Sequence, residues 1–560
     1  MKRNLLIILL AFTGLSANAQ AWQWAKSAGN AQADVSNGVV TDIHGRIYVT
    51  GYYTGDTLFI GADSIINTTN HNAFITKYDA AGNVLWSKGS IGNSKAAGTA
   101  ITTDLNGYIF VTGTFNSATD TAVIFGADTL TNIAGNALSG TNDIFILKYD
   151  SSGVLIWARR AGGLGGDLST GIATDHSGNV YVSGNMSSAY NIGDSLNFGP
   201  STLFYNGVGN MFLLKYTSAG TPVWARTQSG NGAAIANGVA TDSVGNIYVT
   251  GNYVDSAITF GSTTLPAPAL IHFMFLVKFS SAGNVLWANG YGGAKDDNSL
   301  CVTADHSCNV YISGYFKAST TFGSISLSNT ASNNTTYYMF LTKCDSMGNV
   351  LWAKSGALGT YNFGYGVTTD ALNNVYLTGT FQNGISFDSA NSIPSVKGLY
   401  VVKYSSAGTV VWDKGVISSN PSVGYGIAVD ETMNVYVTGY NSGSVIFGAD
   451  TLVFHGLQDI LIAKLSNSNV GIEEVNFIKS NIAIYPNPND GIFYLKTSFS
   501  SPEAQLILTD IYGRKIYSTK LANTNSMEAI TLPAIGNGMY FWEVVSENKM
   551  AGNGKVVIFK

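Results

Sequence analysis

Charge and cysteine are both scarce in this chain of 560 residues. Charged residues make up 11% of it, against about 25% in a typical soluble domain. The net charge is −5 and no run of five Lys or Arg residues exists, which argues against a nucleic-acid partner, because phosphate binding needs clustered positive charge. Three cysteines, Cys301, Cys308 and Cys344, are an odd number and form no disulfide framework. The fold must therefore be held by its hydrophobic core.

Sequence motifs of common enzymes are also missing. The chain has no Gly-x-Ser-x-Gly, no His-Glu-x-x-His, no phosphate-binding loop and no Cys-x-x-Cys. His44, His176 and His306 fall in equivalent turns of different repeats, where solvated side chains are a better interpretation than a shared metal site. We expect no cofactor and no metal.

The first residues have the pattern of a secretory signal peptide. Lys2 and Arg3 precede an apolar run, Leu5 to Phe12, which is too short to span a bilayer. Ala17-Asn18-Ala19 then fits a cleavage site, so the sequence predicts a signal peptide over residues 1–19 and a mature chain from Gln20. No other stretch is long and apolar enough for a transmembrane helix.

Seven copies of one unit fill most of the chain. The third copy reads G-I-A-T-D-H-S-G-N-V-Y-V-S-G from Gly171 to Gly184. Every copy has a Trp 18 residues before an anchor Asp and a Gly nine residues after it, and only the segment between that Gly and a later Lys varies in length, from 24 to 35 residues. The anchors are Asp42, Asp104, Asp175, Asp242, Asp305, Asp370 and Asp430. We expect this Asp to cap its turn and the recurring Trp and Tyr to be core residues.

Each unit contains four strand-like runs, which in the third copy are Gly171–Thr174, Val180–Ser183, Phe212–Tyr216 and Pro222–Ala225. Four antiparallel strands repeated seven times predict an all-β, seven-bladed β-propeller over residues 20–465. The N-terminal run Trp22–Lys26 is a surplus fourth strand, and the seventh unit lacks one. We therefore expect the N-terminal strand to complete the seventh blade and close the ring.

The pattern G-[IV]-A-x-D-x-x-G-N-[VI]-Y-V-[TS]-G resembles the bacterial beta-propeller repeat family SBBP. Cys308, Asn373 and Met433 replace the turn Gly in three copies, and we expect those turns to be strained or differently built. The resemblance implies the fold and says little about function.

A second domain follows a polar linker, residues 466–480. Five strand-like runs predict a small β-sandwich over 481–560: Ile492–Thr497, Ala504–Thr509, Lys515–Thr519, Met539–Val545 and Lys555–Phe559. The segment resembles the C-terminal sorting domain of the type IX secretion system of Bacteroidota. The matching residues are Tyr485-Pro486-Asn487-Pro488, Gly491, Asp510 to Arg514 with Gly513, Gly538-Met539-Tyr540 and Lys555-Val556-Val557. The resemblance implies the type IX machinery as a partner and a secreted or cell-surface protein.

The position eight residues before each anchor Asp is a candidate ligand site. It is occupied in order by Asp34, Ala96, Asp167, Ala234, Asp297, Asn362 and Ser422. If this position lies at one mouth of the central channel, Asp34, Asp167, Asp297 and Asn362 could contact a cation or a hydroxyl-rich ligand. Scattered, solvated acids in a tolerant loop are the competing interpretation.

Three functions remain open on the sequence alone. The leading one is a monomeric, non-enzymatic surface binding or adhesion module for a glycan or a protein. The second is a secreted polysaccharide lyase or glycoside hydrolase, which would need paired carboxyls. The third is a structural surface protein, which would show no concave pocket.

Overall fold

A computed structural model describes residues 20–560 apart from 67–70, 93, 117–121, 133–140, 188–194, 200, 206–208, 267–270, 330–335, 395–396, 419, 468–481, 498–503, 511–513, 522–526, 534 and 547–548. The predicted signal peptide, Gly513 and residues 468–480 of the predicted linker lie outside this description. One compact unit is Gln20–Ser468, and a second contains Asn469–Lys560. Among the described residues, no helix is long and apolar enough to cross a membrane.

The described part of the first unit contains seven sets of four antiparallel strands, here called sheets and numbered along the chain; a hairpin extends the fourth and the seventh to six strands. The strands of sheets 1 to 3 are, in sheet 1, Asp34–Thr41, Ile47–Tyr53, Asn72–Tyr78 and Val84–Gly89; in sheet 2, Lys95–Thr103, Ile109–Asn116, Asp143–Tyr149 and Leu155–Ala161; and in sheet 3, Gly166–Thr174, Val180–Ser187, Asn210–Tyr216 and Pro222–Arg226. Those of sheets 4 to 6 are, in sheet 4, Ala233–Thr241, Ile247–Val254, Phe273–Phe279 and Val285–Gly293; in sheet 5, Asn298–Ala304, Val310–Phe316, Tyr338–Cys344 and Val350–Gly356; and in sheet 6, Phe363–Thr369, Val375–Gln382, Lys397–Tyr404 and Val410–Ile417. Sheet 7 consists of Ser422–Val429, Val435–Asn441, Asp459–Leu465 and the N-terminal strand Trp22–Gly29. The chain is all-β and propeller-like.

The sheets pack on one another through their first strands. Each first strand contacts the first strand of the next sheet, and that of sheet 7 contacts that of sheet 1. Thr174 Oγ1 donates to the Thr103 carbonyl oxygen at 2.9 Å, and Thr241 Oγ1 donates to the Thr174 carbonyl oxygen at 2.7 Å. These bonds tie neighbouring sheets together near the turns that hold the anchor Asp residues.

A second tie uses the recurring Lys and Trp. Lys215 Nζ and Trp224 Nε1 both donate to the Ser281 carbonyl oxygen of the next sheet, at 2.8 and 3.3 Å. The same pair of bonds links sheet 7 to sheet 1, where Lys464 and Trp24 share the Ala80 carbonyl oxygen. The N-terminal strand that carries Trp24 also pairs along its length with Asp459–Leu465.

Every sheet carries an inserted hairpin that the sequence interpretation missed. The hairpins lie in the variable segment and pair with the end of the preceding sheet's fourth strand or with the residues just after it. Their strands are Thr57–Ile60 with Asp63–Ile66, Ala122–Phe125 with Asp128–Thr131, Ser195–Phe198 with Ser201–Phe204, Ile258–Phe260 with Thr263–Leu265, Ser319–Phe322 with Ile325–Ser328, Ile385–Ser386 with Ser392–Ile393, and Val445–Phe447 with Asp450–Leu452; a short strand, Ser229–Gly230, pairs with the fourth of them. The variable segment is therefore partly scaffold.

The turns that lack Gly keep the common geometry. Cys308, Asn373 and Met433 have φ of 60°, 62° and 64°, in the left-handed region that glycine occupies in the other copies. The Met433 amide still donates to the Asp430 carbonyl oxygen at 2.8 Å. The expectation of a differently built turn is wrong, because the remaining turn bonds hold the backbone in place.

The second unit consists of two antiparallel sheets. One contains Ala483–Tyr485, Ile492–Lys496 and Met527–Thr531; the other contains Gln505–Thr509, Lys515–Lys520, Gly538–Ser546 and Lys549–Ile558. Phe493 and Ile530 of the first sheet share one buried core with Leu508, Val544 and Val556 of the second.

Candidate functional site

In the third copy, both carboxylate oxygens of the anchor Asp accept hydrogen bonds from its own repeat. Asp175 Oδ1 accepts hydrogen bonds from the Ser177 and Asn179 amides, both at 2.9 Å, and Oδ2 accepts one from the Tyr181 hydroxyl at 2.8 Å. The carboxylate is buried, and its acceptor positions face the protein. The predicted capping role is confirmed.

The four candidate ligand residues stand at the start of the first strands of sheets 1, 3, 5 and 6. Asp34, Asp297 and Asn362 are 0% exposed and Asp167 is 2% exposed. Each backbone amide donates to a carbonyl of the preceding sheet, as Asp34 does to Gln458 at 2.8 Å. They are therefore spread over four different seams between sheets. Because these side chains are buried, they are neither solvated surface acids nor an exposed ligand site, the two interpretations that the sequence had left open.

Burial also changes the protonation of two of these acids. Loss of solvent raises the pKa of Asp34 to about 6, against the lowering effect of hydrogen bonds from the Asn30 and Thr54 amides. Loss of solvent raises the pKa of Asp297 to about 7, although Thr320 and the Lys317 amide lower it. Asp34 also lies close to Asp459 of sheet 7, and this second carboxylate raises its pKa further. Because their pKa values are shifted by burial, the protonation of these two acids changes the stability of the fold with pH.

A β-bulge interrupts the first strand of every sheet at the same place. The bulged residue lies five positions before the anchor Asp, and in sheets 1 to 4 its side chain bonds towards the next sheet; Asn37 Nδ2, for example, donates to the Gly98 carbonyl oxygen at 2.8 Å. Bulges re-aim side chains, and here they direct them along the inner strands that surround the channel. The bulged residues are Asn37, Thr99, Thr170, Asn237, Leu300, Tyr365 and Tyr425. Sheets 6 and 7 thus have tyrosines where sheets 1 to 4 have small polar residues.

These two tyrosines end a row of aromatic rings, which we call the aromatic row: Tyr337, Tyr361, Phe363, Tyr365 and Tyr425. Ring centroids are 6.4 Å apart from Tyr361 to Phe363, 5.7 Å from Phe363 to Tyr365 and 5.1 Å from Tyr365 to Tyr425. Tyr337 stacks on Tyr361 at 5.4 Å. Tyr361 is 42% exposed and the other four rings are half-buried. The row lies on the insertion face, the side of the propeller on which each second strand ends and each hairpin begins.

Asn362 holds this row in position. Its side-chain amide donates to the Leu358 carbonyl oxygen, which closes the loop that presents Tyr361. The Asn362 amide also donates to the Tyr337 carbonyl oxygen at 3.0 Å, and Tyr337 forms a parallel bridge with Tyr361. The residue predicted to bind a ligand is therefore buried beneath the rings that could bind one. The sequence signal for the row was the alternation Tyr361-x-Phe363-x-Tyr365, which places three rings on one side of a strand.

The opposite face carries the anchor turns and has a cavity of about 240 Å³ between the turns of sheets 2 to 5. His176, His306, Leu105 and Ser243 line it, each from a different sheet. Within the described part of the chain, no group of three or more His, Cys, Asp or Glu residues is placed to hold a metal.

The predicted sorting motif lies in the second unit, where Asn487 joins two chain segments. Its side-chain amide donates to the Lys555 carbonyl oxygen at 2.8 Å, and its oxygen accepts from the Val557 amide at 2.7 Å. Pro486 and Pro488 flank this residue, and Tyr485 contacts Tyr494 with centroids 6.2 Å apart. Gly538 begins the strand that pairs with the last strand, opposite Ile558. The motif thus fastens the start of the unit to its C-terminal strand.

Comparison with known families agrees with both halves of this description. Residues 483–559 match the family described as secretion system C-terminal sorting domain. Residues 156–187 and 223–252 match the family described as beta-propeller repeat, SBBP.

Two curated proteins are similar to part of the chain. An uncharacterized WD repeat-containing protein of Acanthamoeba polyphaga mimivirus is 28% identical over 351 residues, covering 53% of this chain and 25% of that protein. The regulatory protein FlaEY of Caulobacter vibrioides is 27% identical over 246 residues, covering 42% of this chain and 24% of that protein. The chain spans about a quarter of the length of each of these relatives.

Solved structures give weak matches. PorZ, a surface component of the type IX secretion system of Porphyromonas gingivalis, aligns with a TM-score of 0.25 and 11% identity over 94% of this chain and 81% of that one. A fungal alcohol oxidase aligns with a TM-score of 0.32 and 10% identity over 97% and 100% of the two chains. Neither alignment bears on function. Residues 156–187 and 223–252 are thus similar to SBBP beta-propeller repeats, and residues 483–559 are similar to a secretion system C-terminal sorting domain, which directs the protein to the cell surface or the extracellular space by type IX secretion.

Proposed function

We propose that this protein is a non-enzymatic binding module that holds an extracellular glycan on the aromatic row of a closed, seven-bladed propeller. In this proposal the N-terminal strand closes the ring, residues 1–19 are a signal peptide, residues 466–480 link the propeller to its tail, and the tail is a small β-sandwich. The pairing of Trp22–Gly29 with Asp459–Leu465 and the cyclic contacts of the first strands support the closed ring.

The single observation that carries the binding function is the asymmetry of the aromatic row. The scaffold repeats its core residues in every sheet, whereas a series of partly exposed rings, each in contact with the next, runs across sheets 5, 6 and 7. Tyr365 and Tyr425 occupy bulges that accept Asn or Thr in sheets 1 to 4 and Leu300 in sheet 5, so packing does not require a large ring there. Flat, half-exposed rings stack on the apolar faces of sugars, which makes a glycan the ligand with the best fit.

A glycoside hydrolase or lyase is less well supported. A hydrolase needs two carboxyls about 5–9.5 Å apart on one ligand. Asp296 and Asp297 act on Tyr315, whose ring contacts Tyr337 and Phe363 of the row. Asp297 is fully buried, and Asp296 is held by His272 Nδ1 at 3.1 Å. A purely structural protein is less well supported because the rings of the aromatic row take no part in the recurring ties between sheets and because the opposite face carries a cavity.

The test is a glycan array followed by calorimetric titration of the mature protein and of the double variant Tyr337→Ala/Tyr361→Ala. Each lost ring contact is worth about 0.5–1.5 kcal/mol, so we expect roughly tenfold weaker binding. Phe204→Ala is the matched control, because Phe204 is 69% exposed on the hairpin of sheet 3, outside the row. Absence of any glycan ligand, or equal affinity of the double variant and the wild type, would overturn the proposal.

A further inference from the structure

Four tyrosine rings meet where the aromatic row reaches the channel. We call Tyr52, Tyr365, Tyr425 and Tyr440 the phenol cluster. Tyr425 contacts Tyr365 at 5.1 Å and Tyr440 at 5.8 Å between centroids. Burial raises the pKa of Tyr425, and so do the nearby phenols of Tyr440, Tyr365 and Tyr52. The four hydroxyls therefore lie near one another, and all of them are protonated donors at neutral pH.

The hydroxyl of Tyr440 is hydrogen-bonded to Gln458, whereas the scaffold does not use the hydroxyls of the other three tyrosines of the cluster. In the recurring tyrosines, such as Tyr181, the hydroxyl donates to the anchor Asp and is buried. The hydroxyls of Tyr52, Tyr365 and Tyr425, by contrast, bond to no other described residue, and their side chains are half-buried. Phenylalanine would fill the same space. The hydroxyls are thus available to a ligand that accepts several hydrogen bonds.

The charge around the cluster selects against an anionic ligand. Asp34 is the charged group that acts on these phenols, and with Tyr440 it raises the pKa of Tyr52 beyond the effect of burial. His71, stacked on Tyr52 at 4.5 Å, has a pKa that burial and then Lys95 lower, so it is neutral at pH 7. The Asp34 carboxylate would repel a sulfated or uronate residue at the phenols, whereas a neutral sugar would find several hydroxyl donors. The cations of this region act elsewhere, Lys95 on His71 and Lys317 on the Tyr337 ring at 4.4 Å.

The aromatic surface stops at the cluster. At the bulges of sheets 1 to 3, Asn37 and Thr170 donate to the carbonyl oxygens of Gly98 and Ala236, and Thr99 contacts Ser169 Oγ at 3.1 Å. These side chains are tied to the scaffold and offer no ring for stacking. A chain laid along the row from Tyr361 inward therefore loses its platform at the channel.

We propose, on the basis of the glycan function above, that the phenol cluster is a subsite for the terminal residue of a neutral glycan chain. The aromatic row stacks the residues behind it, and the hydroxyls of Tyr52, Tyr365 and Tyr425 recognise the sugar hydroxyls of the chain end. Stacking on the aromatic row thus contributes binding affinity, and hydrogen bonds from the phenol cluster determine which sugar and which chain end are bound.

The experiment titrates the mature protein with cellohexaose, xylohexaose and mannohexaose, and with an oligogalacturonate as the acidic probe. The triple variant Tyr52→Phe/Tyr365→Phe/Tyr425→Phe keeps the rings and removes the hydroxyls. Each lost hydrogen bond is worth about 0.5–1.5 kcal/mol, so we expect the triple variant to bind the preferred neutral hexaose at least about tenfold more weakly. Tyr205→Phe, outside the cluster, is the control and should bind as the wild type does.

The same hexaose is then tested with its reducing end converted to the alditol, and separately with its non-reducing end capped. One of the two modifications should weaken binding about tenfold. Unchanged affinity of the triple variant, equal affinity for both modified hexaoses, or preference for the oligogalacturonate overturns the terminal subsite while the ring-stacking function stands. Failure of all four probes to bind overturns both proposals.

Discussion

Asp297 links a single buried carboxyl to the pH dependence of the whole fold. Its pKa rises from the ordinary value of 3.8 to about 7, chiefly because the side chain is out of contact with solvent. Between these two values the folded state binds more protons than the unfolded state, so this group lowers the free energy of unfolding as pH increases. Its contribution is complete below about pH 4 and is lost as pH rises through 7.

In the wild type, this group should lower the free energy of unfolding by on the order of 1 kcal/mol per pH unit between about pH 4 and pH 7. In Asp297→Asn we expect that decrease to be absent. Urea unfolding at several pH values measures this change. Asp296→Asn is the matched control: hydrogen bonds from His272 and the nearby Lys317 keep the pKa of Asp296 low although desolvation raises it, so this substitution should not flatten the curve. Equal slopes for Asp297→Asn and the wild type would contradict the assignment.

The recurring Lys gives a second prediction at this scale. Lys278 Nζ lies 3.6 Å from Asp242 Oδ2 and donates to the Ser346 carbonyl oxygen of the next sheet at 3.0 Å. Lys278→Met leaves a buried carboxylate without its cation, and removal of one partner of a buried pair costs about 3–5 kcal/mol. We expect a clearly lower melting temperature, whereas Lys295→Met, at an exposed position, should change stability by no more than about 0.5 kcal/mol.

At the scale of elements, the four main strands of each sheet could be predicted and the hairpin could not. In sheet 3 the sequence predicted Gly171–Thr174, and the strand is Gly166–Thr174, because pairing with the second strand continues past the bulge at Thr170. The hairpins were not predicted because the segments on either side of them differ in length from copy to copy, so that the short motif they share does not recur at a constant spacing. Val445-Ile446-Phe447-Gly448 and Val123-Ile124-Phe125-Gly126 show that motif plainly.

The hairpin of sheet 5 tests whether these insertions are scaffold. Phe322 is fully buried and contacts Phe340 at 4.9 Å and Tyr291 of the preceding sheet at 5.2 Å. Phe322→Ala should destabilise the protein by about 3–5 kcal/mol, since it opens a cavity between two sheets. The exposed neighbour Thr321→Ala is the control, and chemical unfolding measures both. Similar stability of the two variants would mean that the hairpin is only a surface loop.

At the scale of the whole molecule, the sequence repeat allowed the fold to be predicted, but it gave no sign of the aromatic row. Repeated residues such as Asp175 and Trp224 do structural work in every sheet, so their pattern predicts strands, turns and sheet order. The aromatic row instead consists of exceptions to the repeat: Tyr337 lies in a variable insertion, Tyr361 and Phe363 lie where the first strand of sheet 6 begins, and Tyr365 and Tyr425 occupy bulges. Their proximity depends on seams such as the bridge between Tyr337 and Tyr361, which no periodicity encodes.

The surplus N-terminal strand gives a prediction for the ring. Deletion of Gln20–Ser27 removes most of a strand that pairs with Asp459–Leu465 and the Trp24 bond to Ala80, and it exposes a sheet edge. We expect a lower melting temperature and aggregation, followed by calorimetry and light scattering. Unchanged melting would show that this strand does not close the ring.

The sorting domain gives the prediction with the widest consequence. Its core, formed by residues such as Phe493 and Trp542, is separate from the cores of the propeller sheets, so loss of Asn481–Lys560 should leave the propeller folded. Because the tail directs secretion, the truncated protein should accumulate in the periplasm, as fractionation against a periplasmic marker would measure. Asn487→Leu, which breaks the two bonds to the last strand, should reduce export in the same direction with the chain otherwise intact. Truncated protein at the cell surface would show that export does not depend on this domain, and unfolded protein in the periplasm would show that the propeller depends on its tail.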